Sequence, residues 1–127
     1  ISMRGNLFLS IFFEISEKIS ITKIVKLNLK IIKKFIYKKV KRLIKVKKPN
    51  DILINKKKVC GILQEIIYKN ERKFLIVGVG INVSKSPKIN NYPTTFLNNY
   101  SKNKLNRLKL FREFQKFYEK NLYLFEV

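Results

Sequence analysis

Apolar side chains recur along this chain with two different periods, and the two periods divide it into strands and helices. Gly5 to Phe13 is a short apolar and aromatic run that reads as a buried strand, and the polar Ser16 to Ser20 reads as a loop. From Thr22, taken as an N-cap, apolar residues return at Ile24, Val25, Ile31, Ile32 and Phe35, with lysines on the opposite side through Lys39. That spacing predicts an amphipathic helix packed on a sheet. Leu43 to Lys47 alternates apolar and basic residues and ends against Pro49, so it reads as a strand. Ile52 to Ile54 is a brief strand, Asn55 to Lys57 a turn, and Val59 to Ile67 a longer strand. Tyr68 to Lys73 turns the chain, and Phe74 to Val83 returns as another strand. This middle third is an antiparallel meander with tight connections. Ser84 to Asn91 is a polar loop, and Leu108, Phe111, Phe114 and Tyr118 mark a last helix between about Leu105 and Leu124. The fold class is α+β: a mixed, largely antiparallel sheet with packed helices.

Length and composition bound the chemistry. A chain of 127 residues, 46% hydrophobic, builds one core, so residues 1–127 read as a single domain. No apolar stretch reaches the roughly 20 residues that cross a bilayer, and no leader precedes the first strand, so a cytoplasmic protein with no membrane partner is expected. The chain starts at Ile1, almost directly on an apolar run, and reads as truncated. The lone Cys60 cannot form an internal disulfide, and with no histidine there is no thiolate or imidazole zinc cluster. Cys60 is therefore read as a packing residue. The formal charge of +21 suggests a polyanion as partner. However, the lysines are spread along the whole chain, and the abundance of Lys, Ile and Asn with no Ala has the pattern of biased codon usage. Nucleic acid is not the expected main partner.

Three segments could carry chemistry. In Lys47-Lys48-Pro49-Asn50-Asp51, a proline-stiffened turn places an ammonium, an amide and a carboxylate at one strand end, suited to a charged ligand. The same Asn and Asp could equally serve the turn by bonding its backbone amides. In the run Lys58 to Glu65, Gly61 interrupts a strand, either because something approaches the backbone there or because it marks a bulge. Strict alternation puts Lys58, Cys60 and Ile62 on one face and Gly61, Leu63 and Glu65 on the other. In Gly78-Val79-Gly80-Ile81-Asn82, the glycines and Asn82 share one face while Val77, Val79, Ile81 and Val83 share the other. A planar group could lie over that bare backbone with Asn82 at its edge, or a helix could pack there. The pattern is not a dinucleotide fingerprint, since no helix start follows.

Taken in order, these segments resemble the biotin protein ligases, which carry a Lys-Trp-Pro-Asn-Asp motif, a Lys-x-x-Gly-Ile-Leu-x-Glu strand and a Gly-x-Gly-Ile-Asn strand. Gly5-Asn6-Leu7-Phe8-Leu9-Ser10 is similar to the family's Gly-Asn-Leu-Tyr-x-Ser strand, and Thr94-Thr95-Phe96-Leu97 loosely to its Thr-Ser-Leu element. The resemblance implies a biotin/lipoate ligase-like, class II synthetase-like catalytic domain. It implies an ATP-dependent ligase that makes biotinyl-AMP and passes biotin to a lysine of a biotin carboxyl carrier protein, a subunit of acetyl-CoA carboxylase. ATP, Mg2+ and biotin are the implied cofactors and substrates, and a homodimer is compatible with it. By the same implication, Lys58 would contact the biotin carboxyl and the α-phosphate, and Asp51 would place metal and phosphates, with Lys47 and Asn50 in support. The backbone of Gly61, Ile62 and Leu63 would line the biotin site, and Gly80 and Asn82 the adenine end of the nucleotide. Neither step needs an enzyme nucleophile, so a chain without histidine can align reactants and neutralise phosphate charge. Lys48 stands where the family has Trp. The family's Gly-Arg-Gly-Arg loop and small C-terminal β-barrel have no counterpart in this sequence, so the 127 residues on their own are expected to be impaired. A lipoate ligase shares the adenylate logic, but Pro49-Asn50-Asp51 followed by Gly61-Ile62-Leu63 favours biotin. A basic nucleic-acid-binding module is the alternative from another class.

Overall fold

A computed structural model describes residues 5–47 and 50–126. The chain runs β1 (Leu7–Ile15), α1 (Ile21–Val40), β2 (Ile44–Lys47), β3 (Asp51–Ile54), β4 (Lys57–Lys69), β5 (Arg72–Ile81), a 3-10 turn (Leu97–Asn99), α2 (Arg107–Lys120) and a final 3-10 turn (Leu122–Phe125). The five strands form one sheet in the order β1-β5-β4-β3-β2, and all neighbouring strands pair antiparallel. Among the described residues, a parallel bridge from Lys58 to Thr94 lies outside these ladders. β2 to β5 form the expected meander. The chain crosses through α1 from one edge strand, β1, to the other, β2. No helix among the described residues is long and apolar enough to cross a membrane.

The meander turns are tighter than their polar runs suggest. Asn55-Lys56 and Asn70-Glu71 all have positive φ, so each hairpin closes on two residues and the strands extend further, to Lys57 and across Tyr68 to Lys73. Two-residue turns of this hand match the strand twist, and Asn at the first position lowers the cost of the left-handed backbone.

Helix α1 begins one residue after Ser20, not at Thr22. Ser20 is extended, with φ −78° and ψ 153°, and its Oγ accepts from Lys23 N at 3.1 Å, leaving Thr22 inside the first turn. The helix stops at Lys41, whose left-handed backbone directs its N–H to Tyr37 O. Its inner stripe, Ile24, Asn28, Ile31, Ile32, Phe35 and Ile36, is buried, while Val25 is only half-buried. Asn28 sits in this otherwise apolar stripe because both of its polar side-chain atoms find a partner. Its Nδ2 donates to Gln64 Oε1 on β4 at 2.7 Å, and its Oδ1 accepts from the Tyr118 hydroxyl of α2.

The last helix buries Phe114 and Tyr118 as expected, but the rest of its inward face is rotated from the one read from the sequence. Leu110, Phe114 and Tyr118 are buried, whereas Leu108 and Phe111 are exposed. Asn106 fixes that phase as N-cap, its Oδ1 accepting from Leu108 N and Lys109 N. Phe35 and Phe114 pack with ring centroids 5.0 Å apart, and Phe13 meets Phe125 edge-on at 5.2 Å. Both helices thus cover the same face of the sheet. The other face stays open, and Phe8, Phe12 and Leu63 stand exposed on it.

Candidate functional site

The open face carries one row of directly opposed residues that crosses all five strands and continues past Asp51 to Lys47 on β2. Phe8 pairs with Gly80, Gly80 with Gly61, and Gly61 with Asp51. Strand alternation sends the Cβ of Val77, Val79, Ile81 and Val83 into the core, all of them at most 1% exposed, so the glycine positions of β5 face outward as expected. Two adjacent glycines leave the middle of this row as bare backbone. Phe8 flanks the glycines on one side and Asp51 on the other. Around the row lies a trough of about 420 Å³, lined also by Asn6, Asn50, Lys58, Leu63, Ile89 and Thr94.

Lys58 reaches this trough because β4 carries a bulge. Leu53 opposes Lys58 while Ile52 opposes Cys60, which leaves Val59 as an extra residue, and Val59 and Cys60 are both buried. The strict alternation expected from the sequence therefore fails at this point. Lys58 shares the open face with Gly61 and Leu63, while Cys60 and the Ile62 side chain face the core. A Cβ built on Gly61 would lie 3.3 Å from Lys58 Cε and Nζ, so the lysine is draped over the glycine. Its Nζ meets Asp51 Oδ1 at 3.2 Å. Burial pushes the Cys60 thiol well above its ordinary range, in keeping with a packing residue.

The start of β4 is held from the far side by a segment beyond β5. Lys58 N donates to Pro93 O at 2.9 Å, and Thr95 N donates to Lys58 O at 2.8 Å. The Tyr92 hydroxyl donates to Asp51 Oδ2, and that bond is the main reason its own pKa is pushed up to about 12. Asn82 N donates to Val59 O at 2.9 Å. The Asn82 side chain donates to Thr95 O at 3.1 Å and accepts from Asn6 Nδ2 at 3.4 Å.

Asp51, Lys58, Gly61, Gly80 and Asn82 thus converge on one trough, with Asn50 at its rim, where Asn50 O accepts from Ile62 N at 2.9 Å. Leu63 lines the trough with its exposed side chain, and Ile62 contributes backbone. Lys47 does not line it, but its Nζ lies 4.5 Å from the Tyr92 ring centroid. Lys48 and Pro49 lie outside the described residues. Sequence reasoning missed Phe8 and Tyr92, whose roles depend on non-local pairing.

It also missed the use of Asn6. Asn6 Oδ1 accepts from the backbone amides of Val83, Ser84 and Lys85 at 2.9, 3.0 and 3.2 Å, and its Nδ2 donates to Lys85 O at 2.8 Å. One side chain thereby ties β1 to the loop leaving the trough. We predict that Asn6→Ala lowers unfolding free energy by roughly 2–3 kcal/mol, because buried amides lose their acceptor. Urea denaturation followed by circular dichroism checks this, and a change below about 0.5 kcal/mol contradicts the role.

Comparison with known proteins adds the family. A family model described as the biotin/lipoate A/B protein ligase family matches residues 1–82. The chain is 37% identical over 86 residues to the chloroplastic biotin–protein ligase 1 of Arabidopsis thaliana, covering 60% of this chain and 22% of the relative. It is 49% identical over 49 residues to the bifunctional ligase/repressor BirA of Bacillus subtilis (strain 168), covering 38% of this chain and 14% of the relative. Among solved structures, the biotin protein ligase of Aquifex aeolicus in complex with biotin and ATP superposes with a TM-score of 0.70 at 25% identity, covering 93% of this chain and 50% of that one. A lipoate protein ligase from Thermoplasma acidophilum shares the fold, with a TM-score of 0.71 at 11% identity over 94% of this chain and 52% of that one. The chain spans about half the length of these solved structures. Five antiparallel strands backed by two helices, the glycine-floored trough and the family match lead to one conclusion: the chain belongs to the biotin/lipoate A/B protein ligase family.

Proposed function

We propose that this chain is the core of the catalytic domain of a biotin protein ligase, which activates biotin with ATP and transfers it to a lysine of a biotin carboxyl carrier protein. The observation that carries this reading is the Phe8–Gly80–Gly61–Asp51 row with Lys58 lying along it. Bare backbone between an aromatic ring and an ion pair suits an elongated ligand with an apolar body and an anionic centre. The ligase complexes with biotin and ATP, or with biotinyl-5-AMP, are of this same fold.

The chemistry asks little of the protein beyond alignment and charge. A biotin carboxylate oxygen attacks the α-phosphorus of ATP, and pyrophosphate leaves. An incoming lysine amine then attacks the carbonyl carbon of the mixed anhydride, loses a proton, and AMP leaves with the electron pair. Lys58 supplies a fixed ammonium where negative charge gathers in the first step, a role that needs no proton transfer. Asn50 and Lys47 flank it, the Gly61, Ile62 and Leu63 backbone holds biotin, and Gly80 and Asn82 meet the nucleotide. Asp51 is the one acidic residue lining the trough among the described residues. A single carboxylate fits a magnesium ion that arrives on the phosphates, since Mg2+ commonly takes one or two protein carboxylates and fills its shell with phosphate oxygens and water. Such an ion would neutralise phosphate charge beside Lys58.

The test is thermal unfolding with biotinyl-5′-AMP, biotin or lipoate. A ligand at a hundred times its Kd stabilises by about 2.7 kcal/mol, so the biotin adenylate should raise the Tm by roughly 5–10 °C. A shift with lipoate and none with biotin assigns the sister activity of the same family. No shift with any of the three overturns the ligand site.

A further inference from the structure

Resting on the ligase reading, we infer that Tyr92 is a positioning residue that holds the Asp51–Lys58 pair and the Lys47 ammonium in the orientation that receives the nucleotide phosphates. Three segments far apart in sequence meet at this one phenol. Its hydroxyl donates to Asp51 Oδ2 while Lys58 Nζ holds Oδ1 at 3.2 Å, so both oxygens of the carboxylate are fixed. Its ring lies 4.5 Å from Lys47 Nζ and 5.6 Å from Lys58 Nζ, measured to the centroid. Two ammonium groups on β2 and β4 would otherwise repel one another. A negative ring face near both lowers that cost and directs them to one place.

The position of Tyr92 is itself set by backbone. The next residue, Pro93, accepts from Lys58 N at 2.9 Å, Thr94 bridges Lys58, and Tyr92 N donates to Ile89 O at 3.2 Å. The phenol is therefore anchored to the same strand start that bears Lys58. The residue cannot swing away without breaking the bridge that also holds the lysine's backbone. Because the phenol is a neutral donor, it fixes Asp51 without adding a second negative charge beside Lys47 and Lys58.

Two substitutions divide the contributions. Tyr92→Phe keeps the ring and removes the donor, while Tyr92→Leu removes both. Biotin-dependent pyrophosphate release is followed with ATP and biotin varied in turn, with Tyr68→Phe as an exposed control. We expect Tyr92→Phe to raise the KM for ATP by about ten-fold, the scale of a hydrogen bond to a charged group. Tyr92→Leu should raise it by roughly three-fold more, the scale of an exposed cation–π contact. The KM for biotin should stay within about two-fold, and the Tm of Tyr92→Phe should match the parent. An unchanged KM for ATP in Tyr92→Phe overturns the inference. So does an equal loss for both substrates accompanied by a lowered Tm, which marks a merely structural residue. The assays use a full-length protein that carries these residues; absence of biotin-dependent turnover there instead overturns the ligase reading, and this inference with it.

Discussion

Lys58→Ala should lower the rate of biotin-dependent pyrophosphate release by about 10²–10³-fold, the scale of loss when one preorganised donor aimed at developing negative charge is removed. The geometry makes that loss specific. Lys58 is held at both backbone groups by Pro93 and Thr95, and its Nζ is fixed 3.2 Å from Asp51 Oδ1 above Gly61. No other ammonium among the described residues lines the trough. Stability should hardly move. The Lys58 and Asp51 side chains are 31% and 23% exposed, and a partly solvated pair of this kind contributes at most about 1 kcal/mol. A stopped assay with radiolabelled ATP measures the first effect and denaturant unfolding the second. Retention of activity within about three-fold of the parent contradicts the role assigned to Lys58.

Gly61→Ala should separate stability from ligand binding in the opposite sense to a core mutation. Gly61 does not need a positive φ, so alanine fits its backbone, and loss of glycine's freedom in the unfolded chain stabilises by about 0.4–1 kcal/mol. The added methyl would stand 3.3 Å from Lys58 Cε and Nζ, and the lysine tip can shift to admit it. The trough floor rises as a result, and the ammonium is displaced from the row. Crowding a fitted surface by one methyl typically costs about 1–3 kcal/mol, so affinity for biotinyl-5′-AMP should fall by ten-fold or more while the Tm holds or rises. Isothermal titration calorimetry with differential scanning calorimetry reads both. Unchanged affinity would show that no ligand lies against this backbone.

Much of this architecture is legible in the chain because its signals are local. The apolar stripe from Ile24 to Phe35 and the alternation from Phe74 to Val83 each follow from one element's own period, and both recur in the fold. The outward glycines of β5 are legible for the same reason. Helix phase is harder to read. Leu108 and Phe111 were as apolar as Leu110, and only the Asn106 cap and the Phe35 partner decide which side turns inward. Turn boundaries failed where Asn55-Lys56 and Asn70-Glu71 compress into two residues, since neighbouring lysines and tyrosines serve a strand edge as well as a loop.

The site is less legible than the fold. That Asp51, Lys58 and Asn82 meet was expected from their order and resemblance. That Phe8 faces Gly80 depends on β1 pairing with β5 across more than half the chain, which no local pattern encodes. Tyr92 was hidden for a similar reason, because its partner Asp51 lies 41 residues upstream. Asn6 appeared only as part of a resembling motif, and its three-amide acceptor role needs the loop at Val83 to be folded against it.

The extra residue at Val59 has a consequence for how any relative of this chain is read. Lysine and glycine three apart on a regular strand would point to opposite sides, and here they touch only because the strand miscounts once between them. A homologue could therefore keep every polar side chain of the site and still be inert, if a single deletion near Val59 restored the regular count and turned its ammonium toward the hydrophobic interior. Inventory alone would pass such a sequence as intact; spacing would not.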